Sequence, residues 1–345
     1  MKTKLKLLGA VVSGSILLVF FIYFHSRPDS SLKNGFTRKL NSRQVQLLYS
    51  LRLSSSNYHF AWVADKGIYI SSDRTPAVLL KVNGKVIDTM TLDLSLASGL
   101  TIGELIVDTP YFYAADMLNY IIYRGQLVNQ KLTETIHARK FFAKYVPHDS
   151  GTMVLRTFTE DKQAFRLQKE RNGVPINAEG LLTKQVDGLF CTDGMLRTDP
   201  TTGRVVYIYF YRNEFLCIDY SMKLLFQGKT IDTTSVVKIK VSKNKQDGSS
   251  RLSSPPFIVN RAATCDNGKL YVNSKLKGDN ETMDVFRLND AIDVYSLSDG
   301  SYEGSFYLPH TGGQRLRYFI IRGNICYVLS EQTLYTYQLH REVRD

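Results

Sequence analysis

The side chains that ordinarily carry out chemistry are present in this chain, but not in a reactive formation. Six histidines (His25, His59, His137, His148, His310 and His340) are scattered without an HxxxH or HExxH pair, the spacing that sets two imidazoles on one helical face for Zn²⁺. Cys191, Cys217, Cys265 and Cys326 include no CxxC pair, and no GxSxG marks a serine nucleophile. A Ca²⁺ site needs oxygens converging from several segments, for which Glu104, Asp187 and Asn260 are candidates if the fold gathers them. The sequence therefore points to no resident metal or cofactor and leaves catalytic residues unassigned.

The basic residues are more informative. There are 44 Lys plus Arg against 32 Asp plus Glu, a net charge of +12. Lys238, Lys240, Lys243, Lys245 and Arg251 fall in one stretch, which fits either attraction to anionic lipid headgroups or an ordinary solvated loop. Arg139, Arg261, Arg315 and Arg317 are dispersed, and their meaning depends on the elements that hold them.

Those elements are strands. With 43% hydrophobic and 12% aromatic residues the chain is too apolar for a disordered protein, and 21 Tyr and 18 Phe against one Trp favour a pleated surface. Beyond residue 45 a short apolar strand, a turn and a second Tyr/Val/Ile-rich strand recur, as in His59 to Ile70 (HFAWVADKGIYI), Glu104 to Ala114 (ELIVDTPYFYA), Ala262 to Val272 (AATCDNGKLYV) and Arg317 to Val328 (RYFIIRGNICYV). Second strands are expected to start near Gly67, Pro110, Thr152, Val205, Lys269 and Asn324. Six such units predict an all-β, six-bladed β-propeller over residues 42–341, because one four-stranded blade cannot bury its faces alone but can between two neighbours. The last copy has three strands, and an orphan strand over Gln44 to Leu53 precedes the first, so the two ends should complete one blade. A separate hydrolase domain beside the propeller is not expected, since the six units take up nearly all of these residues. The cysteines read as buried small hydrophobes: strands intervene between Cys191 and Cys217, leaving them beyond disulfide reach.

Val205 to Thr233 (VVYIYFYRNEFLCIDYSMKLLFQGKTIDT) and Asp293 to Pro309 (DVYSLSDGSYEGSFYLP) resemble extracytoplasmic six-bladed propellers of Bacteroidetes, of the TolB-like and NHL-like kind. The resemblance implies a scaffold and a compartment, and no activity, since propellers host binding and catalysis alike.

In a propeller the first strand of each blade lines the axis, and the loops leading into it surround one mouth of the channel. The expected mouth residues are His59, Glu104, Arg139, Asp187, Asn260, Arg261, Arg315 and Arg317, with Lys140 and Gln185 beside them. Loops between second and third strands add Arg74, Asn119, Arg212, Asn213 and Glu281. Cations outnumber anions, which suits an anionic ligand unless Glu104 and Asp187 compensate the arginines internally.

Location is read from the N-terminus. Leu7 to Phe24 is free of formal charge, follows Lys2, Lys4 and Lys6, and lacks an Ala-x-Ala cleavage pattern. Eighteen helical residues span about 27 Å, close to a hydrocarbon core of about 30 Å. The expected order is a cytoplasmic tail over 1–6, a transmembrane signal anchor over 7–24, a linker over 25–41 and the propeller outside, facing the periplasm or cell exterior, with a cleaved export signal as the alternative to the anchor. The function expected is a membrane-anchored binding or protein-interaction module whose partner is an envelope protein or a small anionic ligand, with no nucleic acid. The alternative is a propeller hydrolase or lyase with an axial divalent metal.

Overall fold

The computed structural model describes residues 11–21, 33–40, 45–64, 67–97, 103–149, 151–244, 246 and 249–340. Six four-stranded antiparallel sheets form the blades. Blade one is β2–β5 (Tyr58–Ala64, Gly67–Ser72, Val78–Asn83, Val86–Thr91), and blade two is β6–β9 (Glu104–Asp108, Tyr111–Asp116, Ile121–Gln126, Lys131–His137). Blade three is β10–β13 (Phe142–Asp149, Thr152–Phe158, Phe165–Arg171, Val174–Glu179), and blade four is β14–β17 (Gly194–Thr198, Val205–Tyr209, Glu214–Ile218, Leu224–Lys229). The insertion after blade four carries a two-stranded hairpin, β18 and β19 (Val241–Lys243, Ser250–Leu252). Blade five is β20–β23 (Asn260–Asp266, Lys269–Ser274, Asn289–Ser296, Tyr302–Pro309), with a one-and-a-half-turn helix α1 (Met283–Leu288) between its second and third strands. Blade six takes β24–β26 (Tyr318–Arg322, Ile325–Ser330, Thr333–Leu339) from the C-terminal end and β1 (Val45–Arg52) from the N-terminal end. The expected six blades and mixed-terminus closure are both found.

The burial of each strand explains why the repeat was readable. Second strands are covered on both faces by neighbouring blades, so β7 and β15 are almost wholly buried and read as unbroken apolar runs. Outermost strands are half solvated; β5 and β17 expose most of their residues and read as mixed. Six apolar clusters lie between blades, one per junction, such as Leu105, Val107 and Phe112 of blade two against Tyr69 and Leu79 of blade one. The first strands β2, β6, β10, β14, β20 and β24 neighbour one another in a closed ring. Closure is antiparallel, with Val45 opposite Leu339 and Arg52 opposite Thr333, so β1 hides the edge that β26 would otherwise present. Asn267 (φ 50°) and Gly268 (φ 73°) make the turn between β20 and β21, both in the left-handed region that a two-residue hairpin requires. All four cysteines are free and buried.

The expected transmembrane helix over 7–24 is not supported. Residues 11–21 are helical and expose apolar side chains all round, including Leu17 at 70% and Val19 at 65%, but among the described residues no helix is long and apolar enough to cross a membrane. Residues 7–10 and 22–24 lie outside the described residues.

Part of the segment expected as a linker, residues 33–40, lies against blade five. Its Arg38 guanidinium is buried, donating to Glu281 and, at 2.8 Å, to Asp293, with a further bond to the Leu276 carbonyl at 2.9 Å. Burial pulls the Arg38 pKa down, but the carboxylates of Asp293 and Glu281 outweigh it and the net direction is up. Phe36 packs with Val259 and Leu276, and Leu40 bridges to Ser305 on β23.

Candidate ligand site

The loops that lead into the first strands and the turns between second and third strands share one face of the disc, called here the upper face. At the upper end of blade six, flanked by blades five and one, lies a cleft of about 880 Å³. It is lined by Arg52 at the end of β1, Arg261 near the start of β20, and Arg315 and Arg317 from the loop ahead of β24. Glu331, in the turn between β25 and β26, is the one carboxylate residue lining it among the described residues. Three of the expected mouth arginines are therefore brought together, and Arg52 joins them from the opposite end of the chain.

Arg261 is the most enclosed of the four. Burial lowers its pKa; Asp290 opposes this, and the positive field of Arg315 adds to it. Asp290, on β22, is the internal counter-charge: it lies 4.0 Å from Arg261, 3.1 Å from His310 Nε2, and accepts the Leu316 N–H at 2.8 Å. This buried carboxylate thus accepts one backbone hydrogen bond and lies beside two basic side chains; the Arg261 Nη1 and His310 Nε2 atoms that face it are buried without a hydrogen-bond partner, so its compensation of Arg261 is partial. Lys275, just past β21, is lowered too, by burial and then by Arg261 and Arg315. Among the described residues Arg52 and Arg315 have no carboxylate partner within ion-pair distance. Arg317 donates to the Ser56 carbonyl and stacks on Tyr318, its guanidinium carbon 5.3 Å from the ring centroid. An anion entering the cleft meets planar donors from several directions and displaces no ion pair at Arg52 or Arg315.

The other expected mouth residues are not in this cleft. His59 and Glu104 lie toward the axis. His59 Nδ1 is 3.4 Å from Asp73; its pKa is lowered, by burial first, against the pull of Asp73 and Glu104 and with a push from Arg317 and Lys144. The charge of Glu104 is felt also at Arg197 of β14, whose guanidinium burial pulls downward and Glu104 holds up, and whose Nε donates to the Ala263 carbonyl at 2.8 Å. Arg139 acts on blade three, where its field reaches Glu170. Asp187 holds a turn, accepting the N–H groups of Phe190 and Cys191 at 3.1 and 2.8 Å, and Asn260 is buried, donating to the carbonyls of Tyr209 and Arg212. Glu104, Asp187 and Asn260 have separate tasks, and among the described residues no group of three His, Cys, Asp or Glu side chains could hold a metal ion.

Of the facing-loop residues, Arg212 is fully buried over the Tyr209 ring and bonded to Thr183, while Asn213 donates to the Asp232 carbonyl. Glu281 belongs to the Arg38 network and Asn119 bonds Asp116. These are structural. Arg52, Lys275, Asp290 and His310 were not anticipated, since nothing in their local sequence ties them to Arg261.

No family model matches the chain, and no curated protein matches it in sequence. Its fold is similar to that of a Bacteroides fragilis protein described as exported, with a TM-score of 0.53 and 10% identity, covering 89% of this chain and 98% of that one. It is also similar to a member of the DUF4221 family from Bacteroides vulgatus, with a TM-score of 0.52 and 11% identity over 88% of this chain and 99% of that one. A streptogramin B lyase structure matches with a TM-score of 0.50 and 9% identity over 86% of this chain and 98% of that one. At such identities the likeness is one of fold alone.

Proposed function

We propose that this protein is an extracytoplasmic binding propeller of the Bacteroidetes type, held at a membrane by its apolar N-terminal segment, and that its upper-face cleft takes an anionic group. That group belongs to an envelope protein or to a small ligand. The observation that carries the reading is the gathering of Arg52, Arg261, Arg315 and Arg317 around one cleft whose lining holds one carboxylate residue, Glu331, among the described residues, with the buried Asp290 behind Arg261. Like charges held together cost free energy in the empty protein, and an anion that neutralises them recovers it. The exposed apolar helix over 11–21 and the exported Bacteroides neighbour support the location. A TolB-like or NHL-like ancestry is consistent with the same scaffold. The alternative is a hydrolase or lyase with an axial divalent metal; among the described residues no group of three His, Cys, Asp or Glu side chains is placed to hold one.

The test is thermal unfolding of the full chain in detergent with inorganic pyrophosphate, citrate or chloride at equal ionic strength. Pyrophosphate or citrate at about 100 times its Kd should stabilise by about 2.7 kcal/mol. The rise should vanish in Arg52→Gln/Arg315→Gln. Equal melting temperatures in all three salts would remove the basis of the proposal.

A further inference from the structure

The insertion between blades four and five leaves β17 at the upper face and returns at β20. Residues 233–258 include Lys238, Lys240, Lys243, Lys245 and Arg251 against one acid, Asp247. Lys238, Lys240, Lys243 and Arg251 are exposed. Among the described residues none of these four has an ion-pair partner. Exposed apolar side chains stand among them: Val236 at 66%, Phe257 at 40% and Ile258 at 38%. The Lys238 ammonium sits 5.1 Å from the Phe257 ring centroid, so charge and apolar surface are interleaved. That interleaving is the pattern of a surface that settles at a lipid headgroup boundary.

The path of the N-terminal segment says which surface this is. Thr233, at the base of the insertion, donates its hydroxyl to the Asn34 carbonyl at 2.7 Å, and Asn34 is bonded to Asp279 and Lys277 on the same face. The chain that comes from the apolar helix therefore joins the propeller beside the basic hairpin. Eleven residues, 22–32, separate position 33 from the helix, a reach of at most about 40 Å. A tether that short, attached there, holds the upper face near whatever surface the helix occupies.

We infer that the upper face docks on an anionic lipid bilayer, with β18, β19 and the flanking described residues 233–244 and 249–258 as the contact. The bilayer is the one that the N-terminal helix enters, so the inference rests on the membrane-anchor reading above. Docking turns the arginine cleft toward the headgroups and selects ligands or partners that lie close to the membrane.

The experiment is hydrogen–deuterium exchange on the full chain in nanodiscs of phosphatidylcholine alone and with phosphatidylglycerol added. The docked hairpin should exchange several-fold more slowly in the anionic discs, and 0.5 M NaCl should reverse the effect (screening length about 4 Å). Turns on the opposite face, around Val86 and Val128, should not change. The Lys238→Gln/Lys240→Gln/Lys243→Gln/Arg251→Gln variant should lose the protection while keeping its discs; in vesicle partitioning each cation lost should weaken binding about fivefold. Equal hairpin exchange in both discs, with residues 11–21 protected, overturns docking and leaves the anchor standing. A chain that the discs do not retain overturns the anchor. In that case co-sedimentation of the same chain with phosphatidylglycerol vesicles decides docking alone, and failure to sediment overturns it as well.

Discussion

Replacing Arg38 with Met is the sharpest perturbation of the scaffold. The guanidinium is wholly buried, as is Glu281, and Asp293 is 2% exposed, so the substitution strands two carboxylates in a dry site. Removing one partner of a buried ion pair costs about 3–5 kcal/mol, chiefly because the survivor keeps its charge without compensation. Glu281 retains the Tyr307 hydroxyl and the Gly278 N–H, and Asp293 retains the Ser305 hydroxyl at 2.5 Å, which keeps the cost within that range. At an unfolding entropy of about 2.1 cal/mol/K per residue over roughly 300 residues, this lowers the melting temperature by about 5–8 °C. Thermal unfolding followed by circular dichroism reads it, with hydrogen exchange over 33–40 to detect local release of the strap. Adding Glu281→Gln should recover part of the loss, because it removes one of the stranded charges. A melting temperature within about 1 °C of wild type (under about 1 kcal/mol by the same scale) together with unchanged exchange of the strap would refute the reasoning.

Two further outcomes follow from burial. Glu170, 3% exposed on β12, has its carboxyl pushed up by burial against the pull of Gln168, Arg139 and Arg166. The folded chain therefore holds that proton more tightly than the unfolded chain, and stability falls as pH rises from about 4.3 through the folded value; Glu170→Gln should flatten this part of the melting profile and raise the melting temperature at pH 7. At Gly228 an added Cβ would lie 2.2 Å from Cζ of the buried Phe215 ring, so Gly228→Ala should cost about 1–3 kcal/mol in chemical denaturation, whereas Gly180→Ala, where a Cβ meets nothing within 4 Å, should not.

The blade framework was legible because a propeller imposes a simple burial rule. Second strands are enclosed on both faces, so segments such as Tyr111–Asp116 and Val205–Tyr209 announce themselves by composition. The closure was legible as a count, three strands at one end and one at the other. The site was legible only in part, for the same physical reason. Loops leading into first strands share a face by topology, and Arg261, Arg315 and Arg317 lie together on that face, in a cleft at blade six. Which of those loops crowd together depends on how far each folds over, and Arg139 turns instead to blade three. Asp187 and Glu104 carry charge of the right sign for compensation, but the counter-charge to Arg261 is Asp290, on a third strand that no sequence spacing links to Arg261. Arg38 was invisible for another reason: its partners Glu281 and Asp293 are 243 and 255 residues away, with no local pattern to link them.

Calorimetric titration of inorganic pyrophosphate into the full chain tests the basic cleft most directly, run alongside Arg52→Gln/Arg315→Gln. The account predicts saturable one-to-one binding to wild type that weakens with salt. In the variant the binding should be lost while the thermal unfolding stays cooperative. Absence of binding to wild type, or equal affinity in the variant, would contradict it.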